Sequence, residues 1–218
     1  MKVVIDPGHG GTEEVGGSSP NNATGPTGLL EKTVTLDVAR RIKSAANDLD
    51  IVLTRSTDTN LGLAARAKVA KDLKAPVFVS VHFNGWPTQE VQGTETYVHA
   101  SGSADSLGLA RTVQAKVLAA TGLKDRVVKR AGFAVLAPTS HDTATAACLV
   151  EISFMTQAAE EQRLKTSAYL DKLAHAIADA VKAHVAEPVG VRVMAPDELR
   201  NLPLVPGDED AAGTNLGR

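Results

Sequence analysis

Apolar residues recur along the chain with two alternating rhythms. Val3-Val4-Ile5 is a short β-rich run broken by Asp6-Pro7-Gly8, and reads as a strand entering a turn. Residues 10–28 are rich in Gly, Ser, Asn, Pro and Thr, show no period, and read as a long loop of the kind that carries function. From Glu31 to Asn47 the rhythm becomes helical: Val34, Val38, Ile42 and Ala45 share one stripe, and Glu31 lies on it. A strand follows at 51–53, a helix at 61–73 closed by Pro76, and strands at 77–81 and 94–98. A helix is expected over 104–120, stopped by Gly122, then strands over Phe133–Leu136 and Cys148–Ser153, and a last helix over 167–185. This alternation predicts an α/β fold with a mostly parallel sheet and helices on both faces. The almost wholly apolar run 77–81 suits a central parallel strand.

Composition changes this picture mainly at the end. Four of the ten prolines (188, 196, 203 and 206) fall in residues 186–218, with six acidic and three basic side chains. The division expected is a catalytic domain over 1–185 and a Pro/Gly-rich acidic tail over 186–218. Docking of Val189–Met194 on the core as a strand is the alternative. The whole chain, 218 residues, carries 23 Lys+Arg against 25 Asp+Glu, a net charge of -2 that offers no positive field for nucleic acid or anionic membrane. One cysteine, Cys148, excludes an internal disulfide framework and a Cys-cluster metal site. No apolar run approaches the length of a membrane span, and Lys2-Val3-Val4-Ile5 does not read as a signal peptide, so either synthesis without export or loss of an upstream leader is expected.

Candidate chemistry gathers just beyond strand ends, where parallel α/β sheets place their sites. His9 follows the first strand, His82 ends the apolar strand at 77–81, and Glu31 opens the first helix on its inward face. Two imidazoles and one carboxylate match a catalytic zinc site that keeps a water position open. Each residue also has a plainer reading: a loop histidine, a strand-end histidine, and an acid complementing a helix dipole. Glu151 sits in the otherwise apolar Cys148-Leu149-Val150-Glu151-Ile152. A carboxylate there needs a partner, either a nearby cation, in which case it would serve as general base to water, or an arginine such as Arg55 or Arg66. Asn84 and His141, on segments flanking these positions, are candidate substrate contacts. His175 and His184 read as surface or packing residues, and no nucleophile elbow, phosphate loop or dinucleotide fingerprint is present.

At these residues the chain resembles the zinc-dependent N-acetylmuramoyl-L-alanine amidases of the amidase-3 type. Val4-Ile5-Asp6-Pro7-Gly8-His9-Gly10-Gly11 is similar to the family's opening motif, Leu30-Glu31-Lys32 to its metal-binding glutamate, and Ser80-Val81-His82-Phe83-Asn84 to its second metal histidine. Leu53-Thr54-Arg55 and Gly93-Thr94-Glu95-Thr96-Tyr97 resemble its strand segments, and Val150-Glu151-Ile152-Ser153-Phe154 the segment with its catalytic glutamate. The similarity runs over residues 2–184. Ser153 stands where the family usually has Gly, and Gln157 where Asn is common.

The resemblance implies a single domain with a twisted sheet of about six strands and about six flanking helices. It implies hydrolysis of the amide between N-acetylmuramic acid and L-alanine of the peptidoglycan stem, with Zn2+ held by His9, Glu31 and His82 and with Glu151 as base. Some relatives carry a long insertion after the second histidine strand, with a helix that blocks the metal until an activator binds. The connection Asn84 to Gly93 is too short for it, so no activator protein is expected. A monomer acting on the bacterial wall is expected, as a phage endolysin, an autolysin or a sporulation enzyme. The rival readings are a zinc carboxypeptidase or deacetylase on cell-wall substrate, and a non-catalytic wall-binding module.

Overall fold

The computed structural model describes residues 1–186 and 196–205. Six strands form one sheet: β1 (Lys2–Pro7), β2 (Asp50–Leu53), β3 (Val77–Asn84), β4 (Thr94–His99), β5 (Asp125–Ala131) and β6 (Ala146–Phe154). Their order across the sheet is β2-β1-β3-β6-β4-β5. All neighbours are parallel except β4 and β6, which are antiparallel. The helices are α1 (Glu31–Ala45), α2 (Leu63–Asp72), α3 (Ala104–Thr121), α4 (Ala158–Leu164), α5 (Ser167–Ala186) and α6 (Pro196–Arg200). The expected α/β architecture, mostly parallel, is the one observed.

Alternation along the strands sorts side chains onto two faces. Val3 and Ile5, then Val77, Val79, Val81 and Phe83, then Cys148, Val150 and Ile152 belong to one large core with the apolar stripes of α1, α3 and α5. The opposite face is a smaller core of Val4, Phe78, Tyr97 and Leu149, covered by Ala70 of α2 and by Phe133, Val135 and Leu136. Toward the carboxyl ends of the parallel strands, that second face turns polar. Asp6, Ser80, His82 and Glu151 keep its parity and are all buried, as is Glu95 at the start of the antiparallel β4. The alternation of each strand therefore delivers its polar residues to one surface.

One expectation is corrected. Phe133–Leu136 is not a strand; Ala134–Leu136 is a turn of 3-10 helix flanked by Gly132 and Pro138. The run is apolar because it covers the second face, which requires burial but no ladder. The strand in that region is β5, whose sequence Asp-Arg-Val-Val-Lys-Arg-Ala lacks an apolar pattern because it is an outer strand. The short α4 was also unread. Of residues 186–218, expected as a tail, 196–205 lie on the domain. Arg111 pairs with Glu198, and Leu204 bridges to Arg130 of β5. The alternative strand at Val189–Met194 lies outside the described residues.

The deepest electrostatic feature is the pair Arg66–Asp6, at 2.9 Å and almost fully buried. Burial alone would raise the Asp6 pKa, but the Arg66 charge and hydrogen bonds from Thr54 and Ser80 outweigh it and hold the carboxyl low. A depressed acid stabilises the fold above its unfolded pKa of about 3.9, and that contribution is lost as pH falls through the lower folded value. Arg66→Met should destabilise the protein by about 3–5 kcal/mol at pH 7, since it leaves a buried charge without its partner. Urea unfolding should show this deficit shrinking as pH falls below about 4, toward the lower value at which folded Asp6 takes its proton.

Candidate metal centre

The loop after β1 places His9 by force of backbone contacts. His9 is left-handed at φ 60, rare for a residue with a Cβ. Two buried arginines hold it there. Arg55 donates to the Pro7 and Gly8 carbonyls, at 3.0 and 2.8 Å. Arg66 donates to the carbonyls of Pro7 and His9, both at 2.8 Å. Gly8 lies so close to the His82 ring that a Cβ would sit 2.2 Å from Cε1. Neither arginine reaches Glu151, so that alternative for the odd carboxylate is excluded: their hydrogen bonds go to the loop, to Asp6 and to neighbouring backbone.

His9, Glu31 and His82 converge, as expected, with donor atoms within 4.8 Å of one another. Glu31 Oε1 lies 3.3 Å from His9 Nε2 and 3.1 Å from His82 Nδ1, and the carboxylate also accepts the Phe83 and Ala23 N–H groups. All three residues are buried.

The surrounding hydrogen bonds set the ring tautomers. His9 Nδ1 lies 3.1 Å from both the carbonyl and the hydroxyl oxygen of Ser19; donation to the carbonyl, which can only accept, places the proton on Nδ1 and leaves Nε2 a lone pair. Ser80 Oγ donates its one proton to Asp6 at 2.7 Å and so accepts from His82 Nε2 at 3.2 Å. That leaves the His82 Nδ1 lone pair pointed at Glu31. Two lone pairs and a carboxylate oxygen thus meet in one buried spot, and His9 Nε2 has no hydrogen-bond partner. Three acceptors at such distances repel unless a cation lies among them, so this donor set fits a divalent metal ion. Without one, protons must serve. Burial lowers His9, but the Glu31 charge overrides this and raises its pKa; burial pushes His82 down; and burial would raise Glu31, but the two imidazoles hold it low.

Glu151 stands on β6 directly opposite His82 of β3. It is 1 % exposed, and neither carboxylate oxygen has a hydrogen-bond partner. Burial, with Glu31 and Glu95 nearby, raises its pKa well above the usual range. A carboxylate so placed takes up or gives up a proton readily once a cation or a substrate approaches. Beside His9 and His82 opens a small pocket walled by Leu63, Phe133 and Val135.

The two expected substrate contacts lie behind the surface. Asn84 donates to Glu95 and accepts from the Gly85 N–H. His141 packs against Phe78 with the rings tilted by 59° and donates through Nε2 to the Val135 carbonyl, behind the pocket wall. Sequence reasoning missed Ser80, Ser19 and the roles of Arg55 and Arg66. It also missed the hub at Glu95, whose parity with Tyr97 in Thr-Glu-Thr-Tyr placed a charge on an apolar face and was the available signal.

Comparison with known proteins gives a consistent result. The profile for N-acetylmuramoyl-L-alanine amidase, Amidase_3, matches residues 3–183. The amidase LytC of Bacillus subtilis is 36% identical over 185 residues, covering 84% of this chain and 35% of its own length, so the chain spans about a third of that relative. The endolysin of Bacillus phage SPP1 is 32% identical over 190 residues, covering 82% of this chain and 64% of that protein. The catalytic domain of CwlV, an amidase from Bacillus (Paenibacillus) polymyxa var. colistinus, superposes with a TM-score of 0.74 at 34% identity, over 85% of this chain and 98% of that one. The CwlD amidase of Clostridioides difficile, solved in complex with the GerS lipoprotein, shares the fold at a TM-score of 0.72 and 21% identity.

Ser80 is the sharpest handle on the tautomer argument. Ser80→Ala removes the acceptor that keeps the His82 proton on Nε2, and should weaken divalent-ion affinity about 10–100-fold. Competition with a chromophoric chelator reads this directly, with the thermal unfolding midpoint of the metal-free protein as the control for folding.

Proposed function

Because the chain belongs to the N-acetylmuramoyl-L-alanine amidase family, we propose that it hydrolyses the amide joining N-acetylmuramic acid to L-alanine of the peptidoglycan stem. The observation that carries this reading is the meeting of three buried acceptors, His9, Glu31 and His82, beside an unpartnered carboxylate on the same sheet face. Zn2+ suits two imidazoles and a carboxylate, and as a Lewis acid it would polarise the scissile carbonyl and acidify water. His9, Glu31 and His82 would hold it, oriented by Ser19, by Ser80 and by the Phe83 and Ala23 amides. Glu151 would accept the proton of the attacking water and return it to the leaving amine as the C–N bond breaks. Its burial favours that role: with no competing hydrogen bond, the proton is held only as tightly as the local charge demands.

The same reading assigns catalysis to residues within 1–185 and no site residue to 186–218. It requires no activator protein. Between β3 and β4 the described residues contain no helix that could lie over the trio. Action on the bacterial cell wall follows from the substrate. Among the described residues no helix is long and apolar enough to cross a membrane.

Glu151→Gln should retain bound zinc, while release of stem peptides beginning with L-alanine from purified peptidoglycan falls by about 10²–10⁴. Metal analysis together with mass spectrometry of the digest checks both halves. Loss of terminal D-alanine or of acetate in place of stem peptide would instead identify a carboxypeptidase or deacetylase. Turnover by the purified chain alone tests independence from an activator.

A further inference from the structure

On the far side of Glu151 from the metal trio lies a second charged group. Glu95 faces Glu151 across the β4–β6 ladder and is fully buried. Its Oε1 accepts from Asn84 Nδ2 and Tyr97 OH, both at 2.9 Å. Its Oε2 accepts from Arg126 Nε at 2.8 Å and Lys129 Nζ at 2.5 Å. Both cations come from β5, three residues apart. In a regular strand residues three apart point to opposite faces. Here they reach one oxygen because the β4–β5 ladder carries an extra residue: Thr94 pairs with Asp125, but Thr96 pairs with Val128. The inserted residue is Val127, a β-branched side chain in the left-handed region at φ 63. Such a conformation persists only where the surroundings impose it, and bulges of this kind re-aim side chains beside active sites.

The result is two positive charges on one carboxylate. Neither cation hydrogen-bonds to Glu151, whose oxygens are unpartnered. Arg126 is anchored by Nε and by packing over the Phe154 ring at 4.9 Å, while its terminal nitrogens have no hydrogen-bond partner among the described residues. Its side chain is 23% exposed and that of Lys129 13%. A guanidinium held by Nε, with its terminal N–H groups free, presents the fork that recognises a carboxylate. Glu95 has no lone pair left for substrate; it orients the two cations.

We propose that Arg126 and Lys129, brought together by the bulge at Val127 and oriented by Glu95, form a subsite for a carboxylate of the stem peptide. This rests on the amidase reading for the identity of the peptide, not for the chemistry of recognition. The subsite lies next to Glu151, so it holds the acidic peptide with its amide within reach of the base. A stem in which that carboxylate is a carboxamide loses the ionic contact, and the enzyme discriminates between the two wall chemistries.

The released peptide is the probe, because it is not cleaved again. Titration calorimetry compares L-Ala–γ-D-Glu–L-Lys carrying free carboxylates with the same peptide carrying carboxamides, against the wild-type holoenzyme and Arg126→Gln. The wild type should bind the carboxylate peptide about 10–100-fold more tightly, as expected for charge-assisted hydrogen bonds. In Arg126→Gln that preference should collapse to less than about threefold, through weaker binding of the carboxylate peptide. Glu95 keeps three of its four donors in this variant. Should it nevertheless unfold, Arg126→Lys serves, with a preference between those of wild type and neutral peptide binding. A preference absent from the wild type, or unchanged in the variant, overturns the subsite. If the wild type shows an Arg126-dependent preference but releases no stem peptide from peptidoglycan, the subsite stands and the amidase reading falls.

Discussion

A carboxylate with no exposed surface and two imidazole lone pairs aimed at it is the constraint around which this molecule is built. Glu31 has neither Arg nor Lys against it among the described residues; its partners are His9, His82 and two backbone amides. Isolated burial of such a charge is strongly unfavourable. The arrangement makes physical sense as a receptacle for positive charge, and its neighbours are organised to keep it one. Ser19 and Ser80 hold the ring protons on the outer nitrogens, and Asp6 holds the Ser80 hydroxyl in turn. Arg66 then neutralises Asp6. A chain of single hydrogen bonds thus runs from a buried arginine to the His82 ring.

The same logic explains where backbone strain is found. Of the three non-glycine residues with positive φ among the described residues, His9 belongs to the trio and Val127 adjoins the charged group at Glu95. Each conformation is imposed by contacts from elsewhere in the sequence. At His9 the contacts are carbonyls gripped by Arg55 and Arg66; at Val127 they are two side chains converging on one carboxylate oxygen. The central β3–β6 ladder also shifts register, between His82 and Asn84, where His82 is aimed into the trio.

The sequence made the sheet, the convergence of His9, Glu31 and His82, and the buried Glu151 legible because each leaves a local mark. Apolar runs ended by turn residues marked β1, β3 and β6, and a carboxylate inside an apolar strand marked Glu151. Glu31 was readable through its place on the α1 stripe. What escaped reading depends on distant contacts. β5 is an outer strand whose charges answer to Glu95 on β4, so its own pattern is silent. Phe133–Leu136 is apolar for the sake of the face it covers, which a period-based reading mistakes for a strand. Asn84 and His141, expected as substrate contacts, are buried with hydrogen bonds that face inward, and no property of their neighbours in sequence reveals that.

One feature at the rim reaches beyond chemistry. Pro203 and Val205 exchange backbone hydrogen bonds with Arg130, so the chain's own later residues lie against the outer edge of β5. An open strand edge is a template for another molecule's backbone. Any fusion, trimming or proteolytic nick that lifts residues 202–205 away would hand that template to a neighbour, and the first symptom would be self-association in solution rather than disruption of the buried trio.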